Sequence, residues 1–166
     1  VAAMGDLAKT GLRIGGPSLR EGGPKKWMPT FYDLAQENNV RMDFMGVHWY
    51  DWGSNPKNNP DDDAKDIFGR FKRYLSTVYN RYQRPLWITE FNANPARDTA
   101  TQIAFLKLAL PYLDNLDYVE RYAYFQPFGG NGDFREERND TSTPLTRIGK
   151  LWRDHESVPA MDQEVY

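Results

Sequence analysis

Four short apolar runs alternate along this chain with longer stretches whose apolar positions recur every three or four residues, and that alternation narrows the possible folds more than any other feature. Leu12-Arg13-Ile14-Gly15-Gly16, Asp43 to Tyr50, Leu86 to Phe91 and Tyr118 to Phe125 are rich in β-branched and aromatic residues and read as strands. Between and after them lie helical patterns. One runs from Trp27 to Asn38. A second is capped by Asp63 and carries the stripe Ala64, Ile67, Phe68, Phe71, Leu75, Val78 and Tyr82. A third is capped by Asp98 with Ile103, Leu106, Leu110 and Leu113 on one face, and a closing helix holds Leu145, Ile148, Leu151 and Trp152.

Strands separated by helices of this length imply a parallel sheet with crossover helices. A complete (β/α) barrel takes about 250 residues, whereas this chain has 166. Four βα units, preceded by a helical scrap at Val1 to Lys9, therefore amount to half a barrel, occupying residues 1–157 with an irregular tail at 158–166. A small doubly wound fold is the alternative. Gly15-Gly16-Pro17-Ser18 lacks the spacing of a dinucleotide loop, and Pro17 removes an amide that a phosphate nest would use, so nucleotide binding is disfavoured.

The totals exclude several function classes. A net charge of −2 with no basic block longer than Lys25-Lys26 gives nucleic acid no electrostatic footprint. No run approaches the length of a membrane span. The chain has no cysteine, which removes thiolate chemistry and Cys-based zinc sites and leaves the compartment open. The Asp61-Asp62-Asp63 cluster lacks calcium-loop spacing and reads as a solvated helix start. Only two histidines occur, His48 and His155, so no metal centre and no cofactor is expected.

Chemistry concentrates at Glu90. It ends the run Leu86-Trp87-Ile88-Thr89-Glu90 and is followed by Phe91-Asn92-Ala93-Asn94-Pro95. In α/β folds, reactive groups gather at the carboxyl ends of parallel strands. The loops after the strands, Asp51 to Asp62 and Gln126 to Thr143, are long, whereas helix-to-strand connections such as Gln83-Arg84 are tight; both facts point to the same end of the sheet. The competing structural role for Glu90 is an ion pair with Arg13 or Arg121. His48 and Tyr50, two residues apart, share a strand face and could donate to Glu90, while Asn92 opens its polar loop. Trp52, Tyr124 and Phe125 are rings placed to line a cleft, and an aromatic content of 14% leaves some to spare for one.

The ordered segments Ile14-Gly15-Gly16-Pro17, Asp43 to Tyr50, Leu86 to Phe91 and Val119 to Phe125, with Leu145 to Lys150 closing, resemble the catalytic core of Asl1-like glycosyl hydrolases, glycoside hydrolase family 128. The resemblance covers most of residues 12–153 and implies the second half of a (β/α)₈ TIM barrel, strands five to eight, acting on β-1,3-glucan with retention of configuration. It implies Glu90 as nucleophile, His48 and Tyr50 as residues lining the cleft, Tyr124 beneath the sugar, and a polysaccharide or oligosaccharide as partner; Trp52, Asn92 and Phe125 join them as expected substrate contacts from their positions alone, and a secreted location fits such an enzyme. The family's acid/base lies in an Asn-Glu-Pro motif, and no such triplet occurs in this sequence. The expectation is therefore an acid/base glutamate outside this chain, a missing amino-terminal half-barrel or self-association to cover the sheet edges, and, as the alternative, a non-catalytic carbohydrate-binding remnant. Glu21 and Glu120 qualify as substitute acids by residue type alone.

Overall fold

The computed structural model describes residues 1–52, 57, 59–126 and 130–158. In chain order it contains α1 (Ala2–Ala8), α2 (Gly23–Lys26), α3 (Met28–Glu37), β1 (Met45–Tyr50), α4 (Pro60–Tyr82), β2 (Leu86–Asn92), α5 (Thr99–Asp114), β3 (Val119–Tyr124) and α6 (Arg147–Asp154). The three strands form one parallel sheet in the order β1-β2-β3.

The expected first strand is not a ladder strand. Residues 14–19 run in the parallel sense beside β1 and the residue before it but pair with them only through the isolated bridges Gly15 to Phe44 and Leu19 to Val47. Gly15, Gly16 and Pro17 supply little strand propensity, and Pro17 has no amide to give. Close approach is built into the pair: a Cβ on Gly46 would lie 2.1 Å from the Ser18 hydroxyl. The helix expected from Trp27 to Asn38 is α3, and the short α2 precedes it outside the expected span; each has a proline in its first turn, where a missing amide costs nothing.

α4 begins three residues before the expected Asp63 cap. The Asn59 side chain accepts from the Asp61 amide at 2.9 Å and Pro60 opens the helix, leaving Asp61 and Asp62 exposed and Asp63 buried. Asn-Pro is the stronger start signal, because proline's fixed φ already suits a first helical position. The Asp98 cap is as expected, accepting from the Thr101 amide at 2.7 Å. The closing helix starts at Arg147 with Thr146 as its cap, so Leu145 precedes it and bridges Arg135 instead. Of the expected tail, Val158 follows α6 without regular structure, and residues 159–166 lie outside the described residues.

One face of the sheet is packed. Val47 and Trp49 of β1, and Leu86, Ile88 and Phe91 of β2, are buried. The Trp49 ring lies 4.7 Å from Phe71 of α4 and 5.8 Å from Phe105 of α5, and Phe91 stacks on Phe71 at 5.6 Å. Each such ring contributes about 1.5–3 kcal/mol by leaving water, which is why the helices lie on this side. On the opposite face are Gly46, His48 and Tyr50, then Trp87, Thr89 and Glu90, then Arg121 and Ala123, with Thr89, Arg121 and Ala123 exposed. β3 ends the sheet, and a hollow of about 660 Å³ lies along it, lined in part by Trp87, Thr89, Arg121 and Ala123.

Candidate active site

Strict alternation along β2 would put Glu90 on the same face as Leu86 and Ile88, among the helices. The pairing prevents this. Val47 sits opposite Ile88 but His48 sits opposite Glu90, so Thr89 is passed over in the ladder. Such an irregularity re-aims the side chains after it. Phe91 takes the buried face and Glu90 turns to the open one, beside His48 and Tyr50.

There the Glu90 carboxylate is held through a single oxygen. The Tyr50 hydroxyl donates a short hydrogen bond to Oε2, and His48 Nδ1 lies 3.3 Å from the same atom. Among the described residues no hydrogen bond reaches Oε1. The Glu90 side chain is 31% exposed and that of His48 24%, so the group is sheltered and still open to a ligand. Burial, then the hydrogen bond to Glu90 and the charges of Glu90 and Glu21, push the Tyr50 phenol far above its ordinary value. It stays protonated and remains a donor. Neither expected ion pair forms. Arg13 forks onto Glu120, and the Arg121 guanidinium stacks 5.2 Å above the Trp87 ring.

The loop after Glu90 is fixed from several sides. Asn94 has φ 126°, a region that side-chain-bearing residues rarely occupy. Gln102 holds it by accepting from the Ala93 amide at 3.1 Å and donating to the Asn94 carbonyl at 2.6 Å. The Asn94 side chain donates to the carbonyl of Asp51, whose carboxylate is bonded bidentately by Arg70 at 2.7 and 2.8 Å and approached by Arg97 at 3.4 Å. Arg97 also reaches Asp63 at 3.3 Å. The residues following Tyr50 and those following Glu90 are thereby locked to each other. Sequence reasoning missed this network; the signal was Asp51 and Asn94 lying just past two strand ends.

The expected ring contacts divide. Trp52 is 69% exposed, with its centroid 6.3 Å from Tyr50 and its indole nitrogen donating to Glu21 at 3.1 Å. Phe125 meets Tyr50 edge-on at 5.8 Å. Both belong to the neighbourhood of Glu90. Tyr124 does not: its ring lies among Phe134 at 5.1 Å, Trp152 at 5.9 Å and Phe91 at 6.0 Å, on the helix side of the sheet. Tyr124 pairs with Phe91 and lies two residues beyond Tyr122, the partner of Ile88, so ordinary alternation along β3 puts it on the packed face. Asn92 is fully buried, its amide donating to the Phe125 carbonyl at 2.8 Å and its oxygen accepting from the Asn94 amide at 2.8 Å. Its side chain shapes the loop and presents nothing to a ligand.

Of the two spare carboxylates, Glu120 is 1% exposed and committed to Arg13 and to the Trp87 indole at 2.7 Å. The Arg13 hydrogen bond, against the effect of burial, holds its carboxyl below the ordinary 4.5. Glu21 lies near Tyr50 in a cleft of about 760 Å³ that Trp27, Tyr50 and Trp52 also line. Gly53 and residues 127–129, which fall in the expected long loops, lie outside the described residues.

A family model described as the glycosyl hydrolase catalytic core matches residues 3–152. Alkali-sensitive linkage protein 1 of Schizosaccharomyces pombe is 26% identical over 149 residues, 84% of this chain and 24% of that protein. Among solved structures, a subgroup I endo-β-1,3-glucanase of family 128 from Amycolatopsis mediterranei, in complex with laminaritriose and laminaribiose, is 33% identical with a TM-score of 0.61, covering 72% of this chain and 49% of that one. A subgroup III curdlan-specific exo-β-1,3-glucanase from Blastomyces gilchristii, in complex with glucose, is 32% identical with a TM-score of 0.60, over 90% of this chain and 57% of that one. The chain thus spans about half the length of these solved relatives.

Proposed function

The chain belongs to the glycosyl hydrolase catalytic core family, within its Asl1-like family 128 branch, and we propose that it carries the nucleophile half of a retaining β-1,3-glucan hydrolase. In this reading the sheet supplies strands six to eight of a (β/α)₈ barrel, and residues 14–19 run in the place of strand five. A complementary half pairs with the open edge of β3 and covers the face that bears Thr89, Arg121 and Ala123. An unpaired edge with exposed side chains is a position that proteins rarely leave uncovered.

The observation that carries the proposal is the asymmetric hold on Glu90. The Tyr50 hydroxyl donates to Oε2 and His48 Nδ1 stands 3.3 Å from the same atom, while Oε1 is left clear on the open face. Retaining hydrolysis asks for a carboxylate fixed in direction and able to bond to carbon through one oxygen. Oε1 attacks the anomeric carbon, and the C–O bond to the leaving sugar breaks. A carboxylic acid on the complementary half, about 5–5.5 Å away, protonates the departing oxygen. That same group then removes a proton from water, which attacks the anomeric carbon and releases Glu90 with configuration retained. Tyr50 and His48 keep the carboxylate correctly turned, and they stabilise Oε2 when the ester bond breaks. Trp52 and Phe125 offer apolar faces to pyranose C–H groups.

The test is Glu90→Gln in the protein assembled with its complementary half. Hydrolysis of laminari-oligosaccharides falls roughly 10⁴-fold or more, as expected for loss of a nucleophile, while oligosaccharide binding and the thermal midpoint persist. Proton NMR of the first product formed by the parent shows the β-anomer. Near-normal turnover by the variant overturns the assignment.

A further inference from the structure

We infer that Glu21 is a positioning residue that fixes the Trp52 indole in the cleft beside Tyr50, so that one carboxylate oxygen ties the exposed ring to the strand that orients Glu90; the inference rests on the glucanase reading above.

The argument begins with the backbone. The segment beside β1 accepts from His48 through the Leu19 carbonyl at 2.9 Å. Two residues further along β1, where a parallel ladder would take its next carbonyl, the chain has already turned away. The Glu21 side chain fills that place, with Oε1 accepting from the Tyr50 amide at 2.7 Å. The turn that carries it off is tight: a Cβ on Gly23 would lie 2.4 Å from the Leu19 Cβ. The same Oε1 accepts from the Trp52 indole at 3.1 Å.

An indole that is 69% exposed has little burial to hold its orientation. A charge-assisted hydrogen bond to an oxygen already tethered to the strand supplies what packing does not. Trp27, 50% exposed and stacked on Phe31 at 4.9 Å, lines the same cleft. Glu21 also places a negative charge near Tyr50, which favours the protonated phenol that Glu90 needs. Its two bonds to Tyr50 and Trp52 leave it a link between ring and strand, and they explain why an acidic side chain sits in a cleft meant for a neutral sugar.

The experiment compares the parent with Glu21→Gln and Glu21→Ala, in the protein assembled with its complementary half and alongside Trp52→Ala. It reads the ¹⁵N–¹H resonance of the Trp52 indole and the affinity for laminaritriose. Glu21→Ala moves that resonance toward its solvent-exposed position, speeds its exchange, and weakens binding about tenfold, the scale of one lost hydrogen bond. Glu21→Gln, which keeps an acceptor oxygen, stays within about twofold of the parent. In the Trp52→Ala background, Glu21→Ala adds nothing further. An unmoved indole resonance in Glu21→Ala overturns the inference, as does a moved resonance with parental affinity, or a Glu21→Gln variant as weak as Glu21→Ala. Parent protein that binds no laminaritriose overturns the glucanase reading and, with it, the sugar-binding role of Glu21; this outcome is recognisable because the indole resonance still answers to Glu21→Ala.

Discussion

Two glutamates sit on adjacent strands at breaks in the sheet's register, and the molecule treats them in opposite ways. Around Glu90 the pairing of β1 with β2 passes over Thr89; in the pairing of β2 with β3 it passes from Val119 to Arg121 and omits Glu120. Glu90 lies near the carboxyl end of its strand, 31% exposed, with a phenol and an imidazole on one oxygen. Glu120 lies near the start of its strand, 1% exposed, with a guanidinium fork across both oxygens and an indole added to one of them. A full positive charge bonded to both oxygens neutralises a carboxylate and leaves no lone pair directed at a ligand. A phenol and an imidazole on one side orient the group and leave its other oxygen reactive. The comparison teaches that the partner's charge and the number of oxygens it occupies, more than the carboxylate's burial, separate a carboxylate committed to structure from one left open to a ligand.

Truncating each side chain should therefore move different observables. Glu120→Ala leaves the Arg13 guanidinium facing a sheltered site without its counter-charge. Breaking a buried pair in this one-sided way is strongly destabilising. Because Arg13 is 21% exposed, some of the cost is returned to solvent, and a loss of about 2–4 kcal/mol is expected by chemical denaturation. The matching Glu90→Ala change should cost less than about 1 kcal/mol, since functional carboxylates add little to stability. Equal losses in the two variants would erase the distinction. A smaller effect should come from Tyr50→Phe, which removes the hydrogen bond to Oε2 and leaves His48 beside it. In the assembled hydrolase kcat falls about 10–100-fold, with KM within about twofold, because the phenol acts on the carboxylate and not on the bound sugar. A KM effect larger than the kcat effect would place Tyr50 among the sugar contacts.

The parallel α/β design was legible because hydrophobic periodicity reports burial directly. The stripe from Ala64 to Tyr82 became α4, and the apolar runs at 43–50, 86–91 and 118–125 became the strands 45–50, 86–92 and 119–124. What periodicity could not supply was register. A period of two cannot tell which residue a ladder will pass over, and it would have turned Glu90 into the helix layer. Its position at a strand's end suggested the open cleft side even though alternation indicated the other face. Tyr124 failed for another reason: alternation along β3 puts it with Tyr122 on the packed side, and its place at the strand's end suggested a cleft ring instead, while Asn92 was misread because the loop it opens consumes its side chain. Asp63 shows a third limit. Its triple-aspartate run reads as solvated, yet Arg97, far along the chain at the end of the loop between β2 and α5, draws it inside.

The smallest effect distinguishes the two glutamates by titration. The Arg13 hydrogen bond, opposed by burial and helped by the Trp87 indole, holds the Glu120 carboxyl below the ordinary 4.5 in the folded chain. Unfolded chains therefore bind a proton at higher pH than folded ones do, and over that interval stability rises with pH. The contribution of Glu120 is complete above the ordinary value and is lost as pH falls through the depressed folded value. Glu120→Gln has no such proton to take up. Its thermal midpoint should lie furthest below the parent's near neutrality, and the gap should narrow as both are melted at successively lower pH beneath 4.5. Other depressed carboxylates, such as Asp66 and Asp114, titrate in parent and variant alike and cancel in the difference. A gap that stays constant across the acid range would mean that Arg13 does not favour the ionised form of Glu120, and the contrast with Glu90 would then rest on geometry alone.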